Sequence, residues 1–180
     1  MTHYEDIIKF WFEELTEKQH FIKDEKLDSL MRYRFQKMHT QAMNCEFFSW
    51  RKTPEGRLAE IIVLDQFPRN IYRDMPLSFS SDSLALMLSQ EAIHCGDNLR
   101  IPITRRSFLY MPFMHSESSV IHAEAVKIFS ESGLEGTLDY ELKHKKIIDR
   151  FGRYPHRNKI LGRISSAEEL EFLKGPESSF

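Results

Sequence analysis

The 180-residue sequence has only two cysteines, Cys45 and Cys95, and neither sits in a CxxC pair. Two thiols cannot complete a four-ligand zinc site without histidine help, so reduced, partly buried thiols are expected. An excess of one charge is also missing: 25 Lys and Arg stand against 27 Asp and Glu, a formal net charge of -2. That balance exerts no global pull on nucleic acid or an anionic membrane, and neither is expected as a partner. Long apolar runs are absent. The stretch from Ser107 to Met114 falls far short of the roughly 20 residues that cross a bilayer. The start, Met1-Thr2-His3-Tyr4-Glu5-Asp6, has no basic segment and no small-residue cleavage site, so no signal peptide is expected and a cytoplasmic location is. No linker rich in Gly, Pro or Ser divides the chain, and no strict repeat near 34 residues emerges; residues 1–180 are read as one domain.

What is present is helical periodicity. Hydrophobic content of 41% with 14 Phe supplies enough apolar surface for a core. Thr2 and Glu5 form a capping-box pattern ahead of Tyr4, Ile7, Ile8, Trp11, Phe12 and Leu15, an apolar stripe at helical spacing. Asp24 opens a second helix with Leu27, Leu30, Met31, Phe35, Met38 and Ala42 on one face. Thr53-Pro54 reads as an N-cap and first-turn pair for a helix carrying Leu58, Ile61, Ile62 and Val63, stopped by Pro68. Further starts are read at Ser81, Thr104, Ser116, Thr137 and Ser165-Ser166, with Gly96, Gly133 and Gly152 as stops. Ile61 to Leu64 is the most strand-like run, but no segment alternates with period two. The expected fold is all-α, with about eight helices.

Three polar motifs stand out: Asp65-Gln66-Phe67-Pro68-Arg69-Asn70, Met111-Pro112-Phe113-Met114-His115-Ser116-Glu117 and Phe151-Gly152-Arg153-Tyr154-Pro155-His156-Arg157-Asn158. The first and third echo each other, each expected to place an Arg and an Asn just beyond a helix that ends in Phe67 or Phe151. Cations there suit the helix dipole, and Asn suits a left-handed turn, so a purely structural account is complete. A functional account uses the same side chains. Between Asp149 and Arg163 five cations face one acid, and Arg105-Arg106 sits at a helix start, where cations oppose the dipole.

Converging arginines hold a phosphate or carboxylate through bidentate bonds. Arg69, Asn70, Arg105, Glu117, Arg153, Arg157 and Asn158 are therefore the candidate ligand-binding residues, for a small anionic group or a peptide. His115 and His156 are candidates for acid–base chemistry, with Asp65 orienting one of them, as in a hydrolase or transferase acting on an anionic substrate. His115, Glu117 and His122 do not form a known zinc spacing, so no metal is expected, and no cofactor either.

Leu64 through Arg73, Tyr110 through Glu117, Arg150 through Asn158 and Leu161-Gly162-Arg163 are similar to motifs of a bacterial family catalogued as a domain of unknown function. The resemblance covers nearly the whole chain, from Phe10-Trp11-Phe12 to Glu168-Glu169. It implies a tetratricopeptide-like, right-handed helical array without the tetratricopeptide consensus, and it brings no activity or catalytic residue. The chain departs from the family pattern at Ser118 and Ser119, where an acid and an apolar residue are usual.

Overall fold

Local sequence signals and apolar faces set the helices of this computed structural model, which describes residues 3–176 and Ser178. Among the described residues there are nine α-helices and no strand. They are α1 (Tyr4–Lys9), α2 (Glu25–Met43), α3 (Pro54–Asp65), α4 (Phe67–Ile71), α5 (Asp82–His94), α6 (Ile103–Met114), α7 (Ser119–Phe129), α8 (Glu135–Phe151) and α9 (Ala167–Phe172). Short 3-10 turns link several of them.

Asp24 caps α2 by accepting from the backbone N–H groups of Lys26 and Leu27. Thr53 caps α3 through Gly56 N–H, with Pro54 in the first turn, where its missing N–H costs nothing. Ser166 and Glu169 form a reciprocal capping box on α9. Gly96 and Gly152, both left-handed, close α5 and α8. The capping pattern at Thr2 lies outside the described residues.

α3 is the centre. Leu58, Ile61, Ile62, Val63 and Leu64 are fully buried, and the helix touches α1, α2, α5 and α6. The strand-like run is helical because it is surrounded on every side, as fully buried helices require. From α5 onward each helix packs on the next, α5 on α6, α6 on α7 and α7 on α8. Phe10, just past α1, packs with Phe35 of α2 and Phe67 of α4, with ring centroids 4.6 to 6.0 Å apart. Phe10 lies outside the expected α1 stripe. A π-helical turn over Phe10–Glu14 widens the spiral by one residue and lets Phe10 and Trp11 both point inward.

Several expectations need correction. Leu30 and Met87 are exposed, so the buried stripes of α2 and α5 are narrower than read. Cys45 and Cys95 are exposed free thiols and not partly buried. Ser81 stands at the start of α5 but makes no cap bond, because its hydroxyl donates to Leu64 O at 2.5 Å. α6 begins at Ile103 rather than at a Thr104 cap, and it passes through Pro112 to Met114. α7 and α8 begin at Ser119 and Glu135, away from the expected caps Ser116 and Thr137.

Candidate functional site

Pro68 does not end α3 by itself; α3 stops at Asp65, and Pro68 lies in the first turn of α4. A proline at this position has no N–H for the carbonyl four residues back, which is Leu64 O. The Ser81 hydroxyl takes that carbonyl instead, tying the α3–α4 break to the start of α5. Arg69 and Asn70 thus sit inside a short helix and not beyond a helix end, which corrects the expected symmetry between the first and third motifs.

The break leaves Asp65, fully buried, at the tip of α3. Its Oδ1 lies 2.7 Å from His115 Nδ1, its Oδ2 accepts from Gln66 Nε2 at 2.5 Å, and Arg69 Nη2 stands 3.7 Å away. Burial pushes the Asp65 carboxyl up, but His115, Arg69 and Gln66 together outweigh it and hold the group below the usual carboxylate range. Asp65 is therefore an anion at neutral pH. An ionised carboxylate accepts only, so it fixes the His115 proton on Nδ1. Nε2 has no hydrogen-bond partner among the described residues.

The second and third motifs meet through Glu117. Its carboxylate accepts from Tyr154 N–H at 2.8 Å and from Arg163 at 2.6 and 2.9 Å. Burial raises the Glu117 carboxyl, yet Arg163 and the Tyr154 N–H bring it below its ordinary value. The buried Tyr154 hydroxyl donates to Met114 O at 2.5 Å, pinning the end of α6 beside His115. The first and third motifs meet through Asp82, which accepts from Arg69 at 2.9 Å and from Arg157 at 3.2 Å. The Phe79 ring lies near both guanidiniums, at 5.0 Å from Arg69 and 4.6 Å from Arg157. Tyr154 meets Arg157 at 4.6 Å. Burial, then the neighbouring Arg69, pushes the Arg157 guanidinium below its usual value, although it stays charged in any practical range.

These contacts surround a cavity of about 290 Å³. His115, Ser116, Glu117, Asp82, Ser80, Ser83 and Arg157 supply its polar wall, and Phe79, Leu86, Pro112 and Leu161 its apolar wall.

Of the candidate residues, His115, Glu117 and Arg157 line this cavity, with Asp65 and Arg69 behind them. The others do not reach it. Asn70 donates to Asp28 at 2.8 Å, where Arg73 also bonds, and so locks α4 to α2. Arg105 stacks on Phe12 at 4.8 Å at the far end of α6, and its neighbour Arg106 pairs with Glu131, which accounts for two cations at a helix start. Arg153 makes a bidentate pair with Glu169 at 2.7 and 2.8 Å. Asn158 donates to Ser165 Oγ at 3.0 Å.

His156 is off the cavity wall, and burial, with Arg157 and Arg69 nearby, lowers its pKa to about 4. Its Nδ1 is buried without a partner, so it has neither the access nor the basicity of an acid–base catalyst. His122 bonds Glu141 through Nδ1 at 2.7 Å and Ser116 O through Nε2 at 2.9 Å, away from His115 and Glu117 as a ligand set. Among the described residues no group of three His, Cys, Asp or Glu is placed to hold a metal ion, and no helix is long and apolar enough to cross a membrane.

Asp82, Phe79 and Tyr154 are the site residues that sequence reasoning missed or undervalued. The signal for Asp82 was present in Ser81-Asp82-Ser83, but it reads as an ordinary helix start. Tyr154 was inside a motif, yet a tyrosine carries no sign of being the hub.

The molecule is thus an all-helical protein in which residues of the second and third motifs line a small cavity, with Asp65 and Arg69 of the first behind its wall. Residues 7–177 match a family described as bacterial protein of unknown function, DUF924, and the chain belongs to that family. A solved structure of a protein of unknown function, ATU0120, from Agrobacterium tumefaciens is similar to it at 34% identity and a TM-score of 0.90, over 96% of this chain and 97% of that one. No curated protein matches the sequence.

Proposed function

We propose that the cavity binds a small molecule through an anionic group, with Arg157 as the anchor. The observation that carries this reading is the state of Arg157. The side chain is 8% exposed and lies against two aromatic rings, its Nη1 has one bond of 3.2 Å to Asp82, and its Nη2 has none among the described residues. A buried guanidinium with an unused donor on a cavity wall is held ready for an acceptor. The pre-set geometry is worth affinity because no loop must be ordered on binding. Titration with a panel of small anions, read by thermal unfolding, tests this. A true ligand at a hundredfold excess over Kd stabilises the native state by about 2.7 kcal/mol. Arg157→Met keeps the aromatic contacts and is expected to lose that stabilisation. An unchanged response in the variant sinks the reading.

A second reading is favoured by the His115–Asp65 pair, which faces the same cavity: a hydrolase or transferase with His115 as general base. Nδ1 is held by a buried anion and Nε2 is unbonded, the arrangement in which an imidazole takes a proton from a nucleophile. p-Nitrophenyl acetate and p-nitrophenyl phosphate are suitable probes. Turnover above background, falling by about 10²-fold or more in His115→Gln, is the expected result on this reading. Turnover that survives the substitution removes it.

The succession of α5 to α8, each helix on the next, supports reading the fold as a tetratricopeptide-like array. A cytoplasmic place fits two free exposed thiols, which a reducing compartment keeps reduced.

A further inference from the structure

The first turn of α5 borders the cavity, and the side chains placed to cap it are drawn elsewhere. The Ser81 hydroxyl donates to Leu64 O and lies 3.1 Å from His39 Nε2. The Ser80 hydroxyl donates to Leu77 O. The Asp82 carboxylate is turned to Arg69 and Arg157. The first N–H groups of a helix have no acceptor within it. In α5 those of Asp82, Ser83 and Leu84 also donate to no group outside it among the described residues. Such groups leave a helix along its axis, at the positive end of its dipole. Ser80, Asp82 and Ser83 all line the cavity, so this end of the helix opens on it.

Arg157 supplies a second, independent sign of an anion at the same place. Its Nη1 lies 3.2 Å from Asp82 Oδ2, which fixes the guanidinium beside the first residue of α5. The side chain is almost fully buried yet lines the cavity, and Nη2 keeps its donors free among the described residues. The carboxylates on the wall do not take up these donors. Asp82 is shared by Arg69 and Arg157, and Glu117 is held by Arg163 and the Tyr154 N–H. What stays open is a set of backbone N–H groups, the Ser83 hydroxyl on the wall and Arg157 Nη2. Such a set exceeds what the two oxygens of a carboxylate need and suits the three terminal oxygens of a phosphoryl group. The volume of about 290 Å³ lies at the small end for ligand pockets.

We infer that the occupant of the cavity carries a phosphoryl group, which the first turn of α5 holds through its backbone N–H groups and the Ser83 hydroxyl while Arg157 pairs with its charge. This rests on the anion-site reading and deepens it: Arg157 alone accepts any anion, and the helix donors select a tetrahedral one. Free inorganic phosphate and the phosphate ester of a small molecule share this chemistry.

Calorimetric titration of the whole chain at pH 7.5 with inorganic phosphate, glycerol phosphate and acetate tests this. One of the two phosphates is expected to bind about tenfold or more tighter than acetate. Tighter binding of glycerol phosphate assigns the site to an ester, and tighter binding of phosphate assigns it to the free ion. Ser83→Asp then separates a binding role from a structural one. A carboxylate in the first turn takes the open N–H groups and suits the dipole, so the variant without ligand should melt at a higher temperature than the unmodified protein. Its phosphate affinity should fall about tenfold or more, because that place is taken. Should the variant lose stability instead, Ser83→Ala decides: the missing hydroxyl is expected to weaken phosphate binding about fivefold, and an unchanged affinity overturns the inference. Full phosphate affinity in Ser83→Asp puts the anion away from α5 and overturns it as well. Acetate bound as tightly as phosphate, and lost in Arg157→Met, leaves the anion site standing and overturns the phosphoryl inference. Binding of none of the three removes both readings.

Discussion

Gly56→Ala is expected to destabilise the protein by about 3 kcal/mol or more, against the usual sign for a helix position. Inside a helix, alanine is favoured over glycine by about 1 kcal/mol, because glycine loses more backbone freedom on folding. Here space decides. A Cβ at Gly56 would lie 2.1 Å from Trp50 O and 2.9 Å from Thr53 Oγ1. The nearest obstacle is backbone, so it cannot rotate away. Trp50 O also accepts from Thr53 N–H at 3.2 Å, and Thr53 Oγ1 accepts from Gly56 N–H at 3.1 Å. Moving either one removes the cap of α3, which is worth about 1 kcal/mol alone.

The displacement then reaches Trp50, stacked on Phe47 at 4.0 Å, and Arg51, paired in bidentate fashion with the fully buried Glu60. Overpacking of this kind adds about 1–3 kcal/mol. Gly136 in α8 is the control. A Cβ there meets nothing within 4 Å, so Gly136→Ala should be neutral or should stabilise by up to about 1 kcal/mol. Urea unfolding of both variants checks the contrast. A Gly56→Ala midpoint at or above that of the unmodified protein would show that the Trp50–Thr53 turn gives way freely.

Gly56 also shows where the sequence was legible. Thr53-Pro54 announced the start of α3, but the close approach of Trp50 O could not be read from it. Signals that act within one turn were readable: the Asp24 cap, the Ser166–Glu169 box and the left-handed Gly96 and Gly152. Signals with a distant answer were not. Pro68 was read as a stop because its missing bond to Leu64 O is visible, whereas the replacement donor, Ser81, is thirteen residues further on. Pro112 is by its chemistry a helix breaker, yet the packing of α6 against α3, α5 and α7 carries the helix through it.

The site divides in the same way. The residue types around the cavity were named in advance because three motifs concentrate Arg, His and acid. The excess of arginine near the third motif was read as unmatched only because the partners Glu117, Glu168, Glu169 and Asp82 lie on other elements. Tertiary contacts turn most of that surplus into helix-to-helix ties and leave Arg157 as the cation with an open donor on the cavity.

Mild acid is expected to unfold the protein, with stability falling steeply between pH 6.5 and 4. Burial lowers the pKa of His39 to about 4, of His144 to about 3 and of His156 to about 4. In each case the folded value lies below the 6.5 of the free side chain. The unfolded chain therefore binds protons first as pH falls, and stability must decrease through that interval. Above pH 6.5 both states are neutral at these sites and the effect vanishes. Each histidine loses about 1.4 kcal/mol per pH unit, so about 2 kcal/mol by pH 5, and the three together about 6 kcal/mol at most. That approaches the roughly 5–15 kcal/mol total stability of an ordinary domain.

The carboxylates act elsewhere. Asp28, Asp65 and Glu117 are all held below their ordinary values, so their contribution is full above about pH 5 and is lost as pH falls through about 4.5 and lower. An acid transition above about pH 5 therefore belongs to the histidines. Thermal unfolding followed from pH 7.5 to 4.5 should show Tm falling continuously below pH 6.5. His39→Gln keeps a donor toward Ser81 Oγ, which His39 meets at 3.1 Å, and should reduce the slope by about a third. A Tm that stays flat between pH 7 and 5 would mean that these imidazoles reach water in the native state.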